Sequence, residues 1–212
     1  MKQHDDMDLM VAWQAGDGSA GEQLIERHLE AVHRFFSNKT RLGINDLVQQ
    51  TFLGCVESKT SFAGRASFRS YLFGIARHVL FAHYRERGTT FDPLTSTAAG
   101  YSPGPTPAER VAEVEEQAEL LRGLRTLPVD SQTLLELAYW EALSDQELAE
   151  VLELPVGTIK SRLRKARKLL TQAMADVRPD GAPEVDVPST LASWAANVRD
   201  GLGRSFAEGR RR

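Results

Sequence analysis

Lys160, Arg162, Arg164, Lys165, Arg167 and Lys168 fall between Gly157 and Leu170 with no acid among them. Cationic side chains at that density hold phosphate groups. Ile159, Leu163, Ala166 and Leu170 recur among them at helical spacing, which predicts a helix with one buried side and a positive remainder. Such a helix is about 12 Å across with its side chains, the width of a DNA major groove. A solvated charged face is the plainer reading of any such run, and the preceding residues bear on it.

Those residues, ALSDQELAEVLELPV from Ala142, predict a second, shorter helix. Ser144 and Glu147 have the spacing of a capping box. Leu143, Leu148, Ala149 and Leu152 lie on one side, and Asp145, Gln146, Glu150 and Glu153 on the other. Pro155 cannot continue the ladder and disfavours helical dihedrals at Leu154, so the chain turns and restarts near Val156. An acidic helix, a tight turn and a basic helix make a helix-turn-helix whose second member carries the positive charge, the arrangement of a DNA reader.

A second basic island lies upstream. From Ser61 to Gly88, Arg65, Arg69, Arg77, Arg85 and Arg87 face only Glu86. KTSFAGRA, residues 59–66, reads as a loop, and Ser67 is placed to cap the helix FRSYLFGIARHVLFAHYRER. Phe68, Leu72, Ile75, Ala76, Val79 and Ala82 form its expected core stripe, leaving Tyr71, Arg77, His78, Tyr84, Arg85 and Arg87 off it. Rings and guanidinium groups mixed on a loop and a helix suit single-stranded DNA, where bases stack and charge follows the phosphates. Phe62 and Tyr71 taken singly read equally well as core; the combination is what informs.

Elsewhere the pattern is helical and acidic. The 212 residues carry 26 Lys and Arg against 29 Asp and Glu, a net charge of −3 that by itself suggests no nucleic acid. Expected helices cover Asp8–Ala15, Ala20–Lys39 with Ser19 as cap, and a segment capped by Asn45 or Asp46 with Leu47, Val48, Phe52 and Val56 inside. Residues 89–107 are rich in Pro, Gly, Ser and Thr and are expected to form a flexible linker. Two further helices, from Ala108 and Val129, precede Ser144, so residues 108–175 form a four-helix unit with the helix-turn-helix at its end. Residues 176–212 are an extension of unassigned role in which Leu191, Trp194, Val198 and Leu202 could line a weak helix. The expected fold is all-α, two small helical domains with a flexible linker between them.

Three segments, DLVQQTFLGCVE from Asp46, SFRSYLFGIARHVLFAHYRER from Ser67 and LSDQELAEVLELPVGTIKSRLRKAR from Leu143, together resemble the extracytoplasmic-function sigma factors of bacterial RNA polymerase. The resemblance implies sigma region 2 over residues 1–88, for core polymerase binding and minus-ten recognition and melting, and sigma region 4 over 108–175, for minus-thirty-five recognition. It implies that Asp46, Gln49, Gln50 and Phe52 meet the β′ clamp helices, with Gln50 where the family usually has an acid. It places Phe62, Arg65, Ser67, Arg77, His78 and Tyr84 at the minus-ten strand, His78 standing for a more usual Asn. Thr158, Lys160, Ser161, Arg162, Arg164 and Lys165 fall at the positions that face minus-thirty-five DNA. Implied partners are core RNA polymerase at the β′ clamp helices and the β flap, and promoter DNA both as duplex and as melted strand. An anti-sigma factor is a further expected partner, and the free chain is expected to be a cytoplasmic monomer.

The rival is a helix-turn-helix transcription regulator with an N-terminal sensor or dimerisation domain. Enzyme chemistry finds no support: there is no glycine-rich phosphate loop, nucleophile elbow or carboxylate pair, so no catalytic residue and no cofactor is expected. His28 and His33, like His78 and His83, are five apart and do not share a helix face as a zinc pair needs. Cys55 alone supports neither a disulfide framework nor a cysteine-rich metal site. No signal peptide or apolar run of membrane-spanning length is read.

Overall fold

A computed structural model describes residues 5–64, 66–87, 90–101, 115–177 and 191. Among them the structure is helical, with one isolated β-bridge between Thr97 and Pro128.

The first domain is built from α1 (Asp6–Gln14), α2 (Gly18–Ser37), α3 (Ile44–Ser58), a 3-10 turn (Lys59–Ser61) and α4 (Phe68–Arg87). α1 lies against α2 because Gly21 has no side chain; a Cβ there would come within 2.3 Å of the Trp13 ring. Asp17, not the expected Ser19, caps α2, accepting from the amides of Ser19 and Ala20 at 2.9 and 3.3 Å. α3 starts at Ile44 behind Gly43, whose φ of +72° is a turn that glycine makes without a Cβ penalty, and neither Asn45 nor Asp46 caps it. Ser67 does cap α4, accepting from the Ser70 amide at 3.1 Å. Gly54 is a point of close approach: a Cβ would stand 3.0 Å from Ile75 of α4.

The core of this domain is Leu24, Val32, Phe35 and Phe36 of α2, Leu47, Phe52 and Cys55 of α3, and Phe68, Leu72, Phe73, Ala76, Leu80 and Tyr84 of α4. Two expected core positions lie outside it, Val56 and Ala82, and Leu29 of α2 is exposed as well. α4 is apolar over a wider arc than one stripe because it packs on α3 on one side and on the second domain on the other.

The segment between the domains is more ordered than its composition suggests. In residues 90–101, which include the short helix α5 (Ala98–Tyr101), Phe91 and Tyr101 stack on Tyr84 with centroids 5.2 and 5.1 Å away. The rest of the expected linker lies outside the described residues. Asp176 and Val177 of the extension continue the last helix, and the rest of it lies outside the described residues except Leu191, which is fully buried in the core; Trp194, Val198 and Leu202 are not described.

The second domain comprises α6 (Glu115–Arg125), α7 (Val129–Tyr139), α8 (Asp145–Leu152) and α9 (Val156–Val177), the expected four helices. The carbonyls of Ser96 and Pro93 in the connecting segment accept from the amides of Val129 and Asp130 at 2.9 and 3.0 Å. They satisfy two of the donors that the start of α7 would otherwise leave unpaired. The Ser144–Glu147 capping box is formed in both directions. Glu153 ends α8 in the left-handed region at φ 57°, and the Leu154 amide returns to the Ala149 carbonyl at 2.9 Å before Pro155. Ile159, Leu163, Ala166 and Leu170 are buried as their spacing predicts.

The two domains share one apolar core and several polar contacts. Lys39 of the first meets Glu136 of α7, and Arg34 and Arg69 both meet Glu141.

Candidate nucleic-acid and polymerase interfaces

α9 is anchored by α6, α7 and α8, so the apolar half of its surface is fixed and its basic half is presented outward. Lys160, Ser161, Arg164, Lys165 and Lys168 are exposed, and Thr158 and Arg162 are partly covered. Two of these are engaged within the chain: Lys160 lies 3.9 Å from Asp145, and Arg162 lies 3.7 Å from Asp130. A rigid helix with an uninterrupted cationic face can enter a major groove and neutralise phosphates on either side.

The second site is a groove of about 350 Å³ between the Ser61–Ala66 loop and α4. Phe62, Tyr71, Gly74 and His78 line it, and Glu150 of α8 closes one wall. The loop is held from below by Gln14, whose side-chain amide donates to the carbonyls of Lys59 and Phe62 at 2.7 and 2.9 Å. Phe62 is half-buried against Tyr71, centroids 4.9 Å apart, with one face toward the groove. Tyr71 shares a hydrogen bond with Ser58. Burial, working against that bond, holds its phenol above the ordinary value, so at neutral pH the ring stays uncharged. An apolar, aromatic slot of this size accepts an unstacked base.

The structure corrects several assignments read from the sequence. Tyr84 is fully buried, its hydroxyl donating to the Lys39 carbonyl at 2.9 Å, and does not face a strand. It continues the four-residue series Leu72, Ala76, Leu80, so it belongs to the core stripe it was read as leaving. Arg77 is also buried, with its guanidinium over the Phe81 ring and hydrogen-bonded to both oxygens of Asp130 at 3.1–3.4 Å. Ser67 and His78 stand at the groove, but each already meets an acid of α8 or its cap: Ser67 donates to Glu147 at 2.6 Å, and His78 lies 3.3 Å from Glu153. Arg65 lies outside the described residues.

On α3, Asp46, Gln49 and Gln50 are exposed together, whereas Phe52 is buried in the domain core. The spacing shows why: Val48, Phe52 and Cys55 face inward, and 46, 49, 50, 53 and 56 face outward. Leu53 and Val56, 52% and 43% exposed, extend that outer face as an apolar strip. Sequence reading missed Leu53 and put Val56 inside, although the outward register of Gln49 and Gln50 carries the signal for both.

Comparison with known proteins agrees with this division. Sigma-70 region 2 matches residues 24–90, and Sigma-70 region 4 matches residues 117–170. The chain is 30% identical over 176 residues to the ECF RNA polymerase sigma-E factor of Haemophilus influenzae, covering 78% of this chain and 93% of that protein. It is 32% identical over 166 residues to the ECF RNA polymerase sigma factor SigC of Mycobacterium tuberculosis, covering 78% and 87%. Among solved structures it matches CnrH in complex with the cytosolic domain of CnrY, with a TM-score of 0.62 at 23% identity over 82% of this chain and 99% of that one. It also matches the sigma factor RpoE of Bartonella quintana in complex with the anti-sigma factor NepR, with a TM-score of 0.56 at 23% identity over 74% and 98%. These superpositions carry the fold; the sequence matches carry the family. With region 2 matched to the groove-bearing domain and region 4 to the helix-turn-helix, the chain belongs to the extracytoplasmic-function family of RNA polymerase sigma factors and is an alternative sigma factor directing transcription.

Proposed function

We propose that residues 1–88 dock on core RNA polymerase and take the melted minus-ten strand, that residues 108–175 read minus-thirty-five duplex, and that residues 89–107 join the two. The observation that carries this is the pair of unlike DNA-compatible surfaces on separate domains: a rigid cationic helix, α9, and an aromatic groove against α4. Duplex reading needs the first and strand capture needs the second. In this reading Lys160, Ser161, Arg164 and Lys165 face the groove of the duplex, with Thr158 and Arg162 nearer its phosphates. Phe62 and His78 meet the extruded strand, while Ser67, Arg65 and Arg77 serve its edge once the domains part. Tyr84 supports α4 from inside.

Asp46, Gln49, Gln50, Leu53 and Val56 form the face offered to the polymerase clamp, with Phe52 holding that face in register from the core. The chain itself performs no bond chemistry; the polymerase does. Its relatives are RNA polymerase sigma factors, which supports polymerase as partner and, through it, the cytoplasm as compartment, and among the described residues no helix is long and apolar enough to cross a membrane. The superposed neighbours are complexes with CnrY and with the anti-sigma factor NepR, which supports a similar antagonist here.

The test is reconstitution. Purified chain added to core RNA polymerase is expected to start transcription from discrete sites in a fragment library of the source genome, where core alone does not. A chain that binds promoter fragments unaided and gives no transcript with core would overturn the proposal in favour of a regulator with its own sensor domain.

A further inference from the structure

Three side chains proposed to meet the minus-ten strand, Arg77, Ser67 and His78, are in the free chain met by carboxylates of the other domain. Asp130 of α7 takes the Arg77 guanidinium through both oxygens at 3.1–3.4 Å. Glu147 of α8 accepts from Ser67 at 2.6 Å. Glu153, at the end of α8, lies 3.3 Å from His78. Glu150, between them, forms a wall of the base groove opposite Phe62 and Tyr71. Glu147, Glu150 and Glu153 are three apart and so lie on one edge of α8, which packs along α4. A row of negative oxygens running past a basic, aromatic groove is what a strand of nucleic acid would present there.

We propose that this carboxylate edge is a built-in stand-in for the melted strand, so that the free chain holds itself closed and the edge and single-stranded DNA exclude one another. This rests on the reading of the groove as the minus-ten site. Asp130 also lies 3.7 Å from Arg162 of its own domain, so the carboxylate that holds a minus-ten arginine also meets a minus-thirty-five residue. Burial works to raise the Glu147 carboxyl; hydrogen bonds from Ser67 and Ser144 outweigh it and keep it below the ordinary value, so this member of the edge stays ionised at neutral pH. Opening is then a displacement: whatever draws the domains apart, core polymerase above all, exchanges intramolecular acids for DNA phosphates.

The experiment compares the full-length chain with the variant Asp130→Asn, Glu147→Gln, Glu153→Gln, in which the side-chain amide introduced by Glu147→Gln keeps the capping geometry. A charge-matched control carries Glu22→Gln, Glu26→Gln, Glu86→Gln, three acids exposed elsewhere. The probe is a fluorescein-labelled pool of randomised single-stranded DNA, read by anisotropy without polymerase. Domain separation is read by energy transfer between dyes at Glu26→Cys and Thr171→Cys in the wild-type and triple-variant backgrounds.

The triple variant is expected to bind the pool about tenfold more tightly than wild type, the factor expected when a competent state populated about one part in ten becomes dominant. Its dyes move apart, the control variant leaves the affinity unchanged, and adding core polymerase separates the dyes in wild type. Unchanged affinity in the triple variant overturns the proposal whether or not the dyes separate. Tighter binding with the domains still closed, or equal tightening in the control, overturns it too. Transcription by the reconstituted wild-type holoenzyme is scored in parallel, so a failure of self-occlusion is told apart from a failure of the sigma-factor reading.

Discussion

The ammonium of Lys39, one residue past the end-cap of α2, is bonded to the carboxylate of Glu136 in the middle of α7, and both side chains are fully buried. Ninety-seven residues separate them in the chain. The Phe35 carbonyl accepts from the same ammonium at 3.1 Å, the Phe35 ring lies 3.8 Å below it, and Gln132 donates to Glu136 at 2.8 Å. Burial pushes Lys39 down and Glu136 up from their ordinary values, in each case against the partner's charge. The pair is therefore a contact between domains that tolerates no vacancy on one side.

Removing one partner leaves a buried charge without its counter-ion, which typically costs about 3–5 kcal/mol. Glu136→Ala is expected to lose that much in urea unfolding, and to split one transition into two as the domains uncouple. The paired change Lys39→Met, Glu136→Met removes both charges and is expected to recover most of the loss. Equal loss in single and double variants would show that the charge pairing is not what matters.

This pair also marks the limit of what the chain discloses before folding. Ser144 with Glu147, and Ile159, Leu163, Ala166 and Leu170, were legible because capping and helical repeat are local: the partners lie within a few turns of one another. Asp130, Glu136 and Glu141 sit in an acidic stretch that reads as solvated, and their partners Arg77, Lys39 and Arg34 are 53, 97 and 107 residues away. Nothing in the spacing of either set announces the other. Arg77 was placed at a surface for the same reason: α4 buries an arc against the second domain as well as against its own, and only the packing of the two reveals it, whereas Tyr84 was legible in the four-residue series from Leu72.

Neutralising the exposed face of α9 separates readers from supports. Lys160→Ala, Arg164→Ala and Lys165→Ala in the holoenzyme are each expected to weaken duplex binding. Each variant that loses a phosphate contact lowers the slope of log affinity against log salt by about 0.9. Lys168→Ala, on the same exposed arc but outside the matched positions, is expected to leave promoter choice unchanged. Filter binding across a salt series checks both, and unchanged affinity in all three first variants would remove α9 from the interface.

Leu53 and Val56 supply the next prediction. Both are exposed on the outer face of α3, so a charged replacement costs the domain little, while an apolar contact with polymerase would be lost. Leu53→Asp with Val56→Asp is expected to keep the wild-type melting curve and to abolish co-elution with core enzyme. Co-elution that survives would place the polymerase contact elsewhere.

Glu147 gives a pH dependence whose sign can be worked out. Its folded value lies below the ordinary 4.5, so its contribution is fully present above that pH and is lost as pH falls through the folded value. The difference in stability between wild type and Glu147→Gln is expected to be constant above about pH 5.5, where an unperturbed Glu is more than nine-tenths ionised, and to close below it. Taking the difference cancels the other titrating groups, Glu136 among them, whose raised value acts in the opposite direction. A gap that persists at pH 3 would mean that Glu147 acts through shape and not through charge.

Cys55 reports on the first domain from within. Its thiol is fully buried between α3 and its neighbours, and burial pushes it up to about 12, so neither access nor ionisation favours reaction at neutral pH. Thiol exchange with a disulfide reagent is expected to proceed at the rate of domain opening, independent of reagent concentration when reagent is in excess. It should accelerate in Gly54→Ala, where the added methyl meets the Ile75 side chain at 3.0 Å and crowds the α3–α4 contact. Labelling that scales with reagent in the native protein would show that the thiol is reached without unfolding, and would call for a looser α3–α4 contact than the one described.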